Sequence, residues 1–595
     1  MTWIRHQFHL LGLFILGAAL PLGGVLLMLA AGLLMFGSIT GILLGAFLLS
    51  NGAYGLAMSF KTFPLPVGRI LDASNAPSLM DKLNELARAW KGPKTKQLIL
   101  DPGFWGVDLV GVPTLGVLGW PRFKWLLGVH PMLALSSREF EALASWELVW
   151  WCDQQNWLNL QVKRLAAYWN RLNLTFQGEN ANRSPLRERW SRAFLKPYAR
   201  WINRRFEPFL VNELVRTDAI VAGQFGSATL ARALCRLALL KPLLDCRVFA
   251  EWDRRLKLGE ALPERPYAYV TELLGRWPEG AEGLLELSLD GLVSGAPPLL
   301  RLRFENLDET AMVPVPSLQR GKPLEEGGVM QELEAEWGAR LGALAVEAQR
   351  SRAAKEERFL GLRSILVSGF PHHFDSKEFL QLAALRMPLE EFLGLARRYL
   401  QAHPGDLDAR LLVHRARLRL DLDQAQQDLS EMVRENPFLG PARHELLGEL
   451  AWEQGNQREG ESQWILARRA EAQVEQARRE RSSVVLKDAF EAHGCSVAEV
   501  AAIITYLKTQ PKVREAFLVR KQVEHFPDHP VFFLVLRWRR PFWDLRDRKR
   551  SAFQSEIASN CPFPLGGTSF VLVTTNSHLR WQRKRLRQLE GQILP

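Results

Sequence analysis

Two tryptophans flank a glutamate in the segment Trp146-Glu147-Leu148-Val149-Trp150. Side chains four residues apart lie on one face of a helix. Two histidines at this spacing can bind one zinc ion, and a glutamate between them can act as general base. Indole cannot replace imidazole, because its only nitrogen carries a hydrogen and has no free lone pair. The spacing therefore fits metal-dependent hydrolysis, whereas the residue types argue against it.

The residues before this segment resemble those of the HtpX and CAAX prenyl protease family of membrane zinc peptidases. Residues 128–132 read Gly-Val-His-Pro-Met, and residues 135–144 read Leu-Ser-Ser-Arg-Glu-Phe-Glu-Ala-Leu-Ala, close to the family's frame. The family continues with His-Glu-Leu-Gly-His, and this chain has residues 146–150 at that place. The resemblance covers roughly residues 10–345 and implies a zincin-like peptidase domain.

The same resemblance implies a third zinc ligand, a glutamate in a Glu-x-x-Ala-Asp pattern on a later helix. Leu214 stands at that position, Glu213 precedes it by one residue, and Asp218 keeps the family aspartate. A further family histidine, in a His-Pro-x-Leu stretch, is replaced by Ala296. The degenerate ligand positions are thus Trp146, Trp150 and Leu214.

These substitutions predict a protein with no metal, no cofactor and no peptidase activity. Glu147 matches the family's general base but has no zinc-bound water to deprotonate. The tryptophans are expected to fill the vacated space, in a pocket with Trp151, Glu213 and Asp218. An alternative is an active zinc endopeptidase with unorthodox ligands, such as His130 and Glu213.

The chain contains no Asp, Glu, Lys or Arg from Leu10 to Phe60. A membrane-spanning helix needs about 20 apolar residues, so this run is long enough for two spans, which we place near residues 10–33 and 38–59. It is also too long for a signal peptide. Basic residues flank the run and its middle is uncharged, so the soluble domains are expected in the cytoplasm, with a bacterial inner membrane as the partner bilayer.

Composition adds weaker constraints. The 595 residues predict several domains. Five cysteines without a Cys-x-x-Cys pair suggest neither a disulfide framework nor a cysteine zinc site. The net charge of +12 fits an anionic membrane surface. Nucleic acid is not an expected partner, because no recognisable binding module occurs.

The C-terminal half contains an internal repeat. His403-Pro404 and Asn436-Pro437 occupy equivalent places, and each is followed at the same spacing by an Ala-Arg pair. A period close to 34 residues with paired helices resembles tetratricopeptide repeats, which bind proteins.

The sequence therefore predicts a multi-domain, mainly α-helical chain. A two-helix membrane hairpin (1–60) precedes an α+β zincin-like domain (61–345), connecting helices (346–387), tetratricopeptide-like repeats (388–480) and a small α+β domain (484–595). The predicted function is a membrane-anchored pseudopeptidase acting in protein binding, scaffolding or regulation. A third possibility is an adaptor that acts only through its repeats.

Overall fold

The computed structural model describes most of the chain outside the N-terminal apolar run and several connections. The described residues are 2–18, 26–30, 49, 68–113, 121–152, 157–177, 186–274, 285, 299–307, 328–366, 373–384, 386–418, 420–482, 489–538, 547–563, 568–574 and 592–594. The chain divides into two compact units. The first contains residues 1–404 and 457–465, and the second contains residues 405–456 and 466–595.

The first helix, α1 (Thr2–Gly17), enters the run that lacks charged residues. Leu10 and Leu13 are buried against later helices of the same unit. Residues 10–18 and 26–30 of the first predicted span (10–33) are described, whereas only residue 49 of the second (38–59) is. Among the residues that are described, no helix is both long enough and apolar enough to cross a bilayer.

A four-stranded sheet follows, built from β1 (Arg69–Leu71), β2 (Leu98–Asp101), β3 (Val107–Pro113) and β4 (Pro121–Gly128). The strand order is β1-β2-β4-β3, with β2 and β4 parallel and the other pairs antiparallel. Helix α2 (Pro77–Ala89) connects β1 to β2. Gly128 ends β4 at a close approach, since a Cβ there would collide with the carbonyl oxygen of Phe104. In the strand order given above, β3 lies at one edge of the sheet.

Helices form the rest of the site's scaffold. After the short α3 (Val129–Ala134), the sequence predicts one helix up to about residue 172. The structure describes α4 (Ser137–Cys152) and α5 (Trp157–Gln177), and the four polar residues 153–156 lie outside the described residues. The sequence predicts the next helix from about residue 208 to 240, interrupted near residues 223–226, whereas α6 (Leu186–Phe225) begins at Leu186. Gly226, at φ 90°, separates it from α7 (Ser227–Leu244).

Six further helices described in the first unit follow α7. A π-helical turn (Asp245–Phe249) joins α7 to the next helix. The six helices are α8 (Ala250–Leu258), α9 (Pro266–Leu274), α10 (Leu300–Asn306), α11 (Val329–Leu366), α12 (His373–Ala383) and α13 (Leu389–Ala402).

The second unit opens with α14 (Leu407–Arg417), α15 (Leu422–Glu435), a 3-10 turn (Pro437–Leu439) and α16 (Gly440–Glu453). Asp406 caps α14 by accepting from the backbone N–H of Ala409, and Asn436 caps the 3-10 turn by accepting from that of Phe438. Helix α16 starts 33 residues after α14. The pairing of helices at a 33-residue interval agrees with the repeat in the sequence. Helix α17 (Gln457–Ser482) follows and belongs partly to each unit.

The C-terminal part of the second unit is an α+β arrangement. Its sheet contains β5 (Phe490–Ala492), β6 (Val513–Lys521), β7 (Val531–Trp538), β8 (Thr568–Thr574) and β9 (Gln592–Leu594). The order is β5-β6-β7-β8, and β9 also pairs with β6. Helices α18 (Val497–Lys508) and α19 (Asp547–Asn560) pack on one face.

The coarse prediction of a mainly helical chain with small sheets is confirmed. The predicted domain boundaries stay predictions.

Candidate functional site

Helix α4 carries the two tryptophans on one face, as their spacing predicts. A capping box fixes its start: Ser136 and Glu139 accept from each other's backbone N–H groups. The rings of Trp146 and Trp150 stack with centroids 5.4 Å apart and planes 12° from parallel. Both side chains are half-buried. Trp151 points elsewhere, because its ring lies 5.8 Å from that of Phe123 on β4.

The first tryptophan is held by an ion pair between helices α6 and α10. The indole N–H of Trp146 donates to Asp218 Oδ1 at 2.7 Å. The guanidinium of Arg303 donates to both oxygens of Asp218, at 3.0 and 2.6 Å, and lies 4.7 Å from the Trp146 ring centroid. Both charged side chains are buried. A buried, bidentate pair of this kind has its charge fully compensated.

The second tryptophan lies beside another ion pair. Lys163 on α5 contacts Glu213 Oε2 at 2.7 Å, donates to the Trp150 carbonyl at 3.0 Å, and lies 4.7 Å from the Trp150 ring centroid. Asn159 donates to the other oxygen of Glu213 at 3.5 Å. One cation therefore accompanies each tryptophan, and each cation neutralises one carboxylate of α6. Cation–π contacts are worth up to about 2 kcal/mol where water is excluded.

Glu147 hydrogen-bonds towards the sheet. Its carboxyl accepts from the backbone N–H of Leu109 on β3 at 3.2 Å and hydrogen-bonds the carboxyl of Asp108. Burial, and then the neighbouring charge of Asp108, raise the pKa of Glu147 well above its ordinary 4.5, and the guanidinium of Arg303 partly opposes this shift. Burial also raises the pKa of Asp108. Both shifts favour the protonated form of a carboxyl in this pair.

The residues at the ligand positions do not fit a zinc ion. Leu214 is buried and apolar, and the indole N–H of Trp146 is already donated to Asp218. Glu213 and Asp218, the carboxylates close to Leu214 on α6, are each paired with a buried cation. Within the described part of the chain, no three His, Cys, Asp or Glu side chains form a group that could hold a metal ion.

The alternative ligands, His130 and Glu213, lie among different neighbours. The imidazole of His130 stacks on Trp105 at 4.8 Å and contacts Tyr267 and Trp337, at 5.6 and 5.4 Å between centroids. Glu213 lies between Lys163 and Asn159. Burial lowers the pKa of His130 to about 4, so its ring is neutral at physiological pH. The aromatic surroundings of His130 are those of a core residue.

Sequence reasoning missed three of the residues that complete this site. Lys163, Arg303 and Asp108 supply the two cations and the second carboxyl of the buried pair. Lys163 gave no signal, because Arg164 adjoins it in the same helix, and Asp108 gave a weak one as an acid within a strand. Arg303 gave none, because Arg301 precedes it in the same helix.

Comparisons with protein-family models, curated proteins and solved structures find no match to this chain.

Replacing Glu147 by glutamine is expected to stabilise the protein increasingly as pH rises. Because its folded-state pKa is raised, the contribution of Glu147 to stability is fully present below pH 4.5 and is lost as pH rises through the folded value. A folded-state pKa that is higher by one corresponds to about 1.4 kcal/mol of this stability. Glutamine keeps an oxygen for Leu109 and an N–H for Asp108 but has no proton to lose. Denaturant unfolding between pH 4.5 and 8 measures the difference.

The matched control is Glu141→Gln, on the same helix, where the carboxylate is half-buried and 3.2 Å from Lys82. It is expected to gain no stability with rising pH. A Glu147→Gln advantage that stays flat or shrinks with pH would show that Glu147 is ionised in the folded protein.

Proposed function

We propose that this chain is a non-catalytic, peptidase-like protein anchored in a membrane, and that it binds or regulates other proteins. The observation that supports the non-catalytic part of the proposal is the pairing of Glu213 and Asp218 on α6 with buried cations. Lys163 and Arg303 supply positive charge close to where a zinc ion would have supplied it. The substitutions thus form a connected, charge-balanced cluster instead of an empty ligand set.

Such a cluster stabilises a structure but does not hydrolyse peptides. Metallopeptidases need a metal with an open coordination position that polarises water. Here the cations are side chains engaged by carboxylates, and the raised pKa of Glu147, which hydrogen-bonds Asp108, disfavours the carboxylate that a general base needs. The half-buried faces of Trp146 and Trp150 remain as an aromatic surface that suits binding.

The membrane and protein-binding parts of the proposal have separate support. The run without charged residues from Leu10 to Phe60 favours insertion in a bilayer. The paired helices α14, α15 and α16, with α16 starting 33 residues after α14, favour a repeat that presents a surface to protein partners.

The zinc content of the purified full chain tests the non-catalytic proposal. We expect less than about a tenth of an equivalent of zinc, because the three positions at which the resemblance predicts zinc ligands hold Trp146, Trp150 and Leu214. A full equivalent of zinc together with proteolysis would contradict the proposal.

A further inference from the structure

One face of helix α6 presents arginines and a tryptophan to solvent. Arg200, Trp201, Arg204 and Arg205 are exposed, and we refer to these four residues as the Trp201 patch. Trp201 is 39% exposed although tryptophan is a large apolar residue. The guanidinium of Arg205 lies 5.5 Å from its ring centroid. The patch therefore combines positive charge with an amphipathic ring.

The opposite face of the same helix fixes the orientation of the patch. Ile202, Phe206 and Phe209 are buried in a cluster with α1 and α5. Tyr198, one turn before Trp201, has its ring 5.6 Å from the Trp201 ring and donates its hydroxyl to the carbonyl of Leu16 at 2.6 Å. The patch is thus tied to the end of α1, where the charge-free run continues.

The sequence around the patch is strongly one-sided in charge. Residues 189–206 contain six basic residues and no acidic residue. Neither α1 nor α5 contains an Asp or Glu. Glu207 is the next acidic residue along α6, and it is also exposed. The local field therefore favours an anionic partner.

Apolar side chains exposed on α1 and α5, the helices that share a buried cluster with α6, indicate the kind of partner. Trp157 on α5 is 58% exposed, and its ring lies 6.0 Å from that of Phe14 on α1. Phe8, Leu11 and Ile15 are exposed along one face of α1. Exposed tryptophan and aliphatic side chains next to arginines are typical of a membrane–water interface, where arginines contact phosphates and indoles sit at headgroup level.

We propose that the Trp201 patch binds the headgroups of anionic phospholipids. The arginines contact the lipid phosphates, and Trp201 enters the headgroup layer. This goes beyond the proposed anchor, because it assigns lipid-headgroup recognition to the folded part of the chain. Placing the patch at headgroup level next to inserted spans rests on the proposed membrane insertion, but its preference for anionic lipid does not.

Native mass spectrometry of the full chain, solubilised in detergent and titrated with phosphatidylglycerol or phosphatidylcholine, tests this proposal. We expect phosphatidylglycerol to bind at least about tenfold more tightly than phosphatidylcholine, because each arginine near an anionic surface contributes about fivefold. The triple variant Arg200→Gln, Arg204→Gln, Arg205→Gln is expected to lose most of this preference. Thermal unfolding of the variant shows whether it keeps its fold.

The matched control is Arg350→Gln, Arg397→Gln, Arg398→Gln, which removes three exposed arginines from α11 and α13. It is expected to keep the wild-type preference. Equal binding of the two lipids, an unchanged triple variant, or an equal loss in the control would each overturn the proposal. Tighter binding of a single-stranded oligonucleotide than of phosphatidylglycerol, at the same ionic strength, would show a nucleic-acid surface instead.

Failure of this proposal is distinguishable from failure of the proposed function. A chain that stays soluble without detergent would contradict the membrane anchor. Its binding to vesicles of phosphatidylglycerol or phosphatidylcholine would still measure the lipid preference of the Trp201 patch. Zinc content and proteolysis test the non-catalytic proposal and are independent of lipid binding.

Discussion

Replacing Arg303 by methionine is expected to destabilise the first unit by about 3–5 kcal/mol, because removing one partner of a buried ion pair leaves the other charge uncompensated. The side chain of Asp218 is only 1% exposed and would keep the indole N–H of Trp146 as a neutral donor. The change also removes the cation from the Trp146 ring. Denaturant unfolding of the full chain, followed by hydrogen exchange in α6 and α10, measures the loss.

A second substitution separates charge from packing. The double variant Arg303→Met, Asp218→Asn is expected to recover much of the lost stability. Neither position then carries a charge, and the introduced amide oxygen can still accept from the indole N–H of Trp146. The control is Arg340→Met, which breaks an exposed pair with Glu336 and is expected to cost less than about 1 kcal/mol. A single variant as stable as wild type would show that Arg303 does not neutralise Asp218.

Replacing Arg481 by methionine is the second large effect we expect, and it concerns the second unit. Arg481 is 2% exposed, and its guanidinium donates to the carbonyls of His525, Phe526 and His529, at 2.8, 2.9 and 3.3 Å. It also lies 5.3 Å from the ring of Phe438. One side chain thus connects α17, the β6–β7 connection and the repeat region.

The expected cost is about 3 kcal/mol or more, because the carbonyls of His525 and His529 lose a charged donor, while that of Phe526 keeps the backbone N–H of His529. Hydrogen exchange of residues 522–530 should accelerate in the variant. Arg479→Met is the matched control: it lies on the same helix, is exposed and pairs with Glu475, so it should leave the exchange unchanged. Equal behaviour of the two variants would contradict the structural role of Arg481.

The helices and most of the strands could be predicted from the sequence, because periodicity and capping are local. Ser136 with Glu139 marked the start of α4, and the Asn436-Pro437 repeat position marked the turn that precedes α16. That α4 and α6 would bring their side chains together was expected only from a family resemblance. The structure does bring Trp146 next to Asp218 and Trp150 next to the cation of Glu213.

The partners of these residues could not be predicted. Arg303 is 85 residues from Asp218, and Lys163 is 50 residues from Glu213, so no local pattern connects them. Trp151 was expected in the pocket because it adjoins Trp150, but a helix turns consecutive side chains by about 100°, which directs it towards Phe123. Long-range pairing and side-chain direction, rather than element type, limited the prediction of the site.

The zinc content and proteolytic activity of the full chain, compared with those of Glu147→Gln, test the central claim most directly. Both proteins are purified without chelator, equilibrated with zinc, freed of unbound metal and analysed by mass spectrometry of the elements. We predict less than about 0.1 zinc per chain in each, with no difference in the hydrolysis of an unfolded protein substrate. One zinc per wild-type chain, with hydrolysis abolished by Glu147→Gln, would contradict a non-catalytic protein.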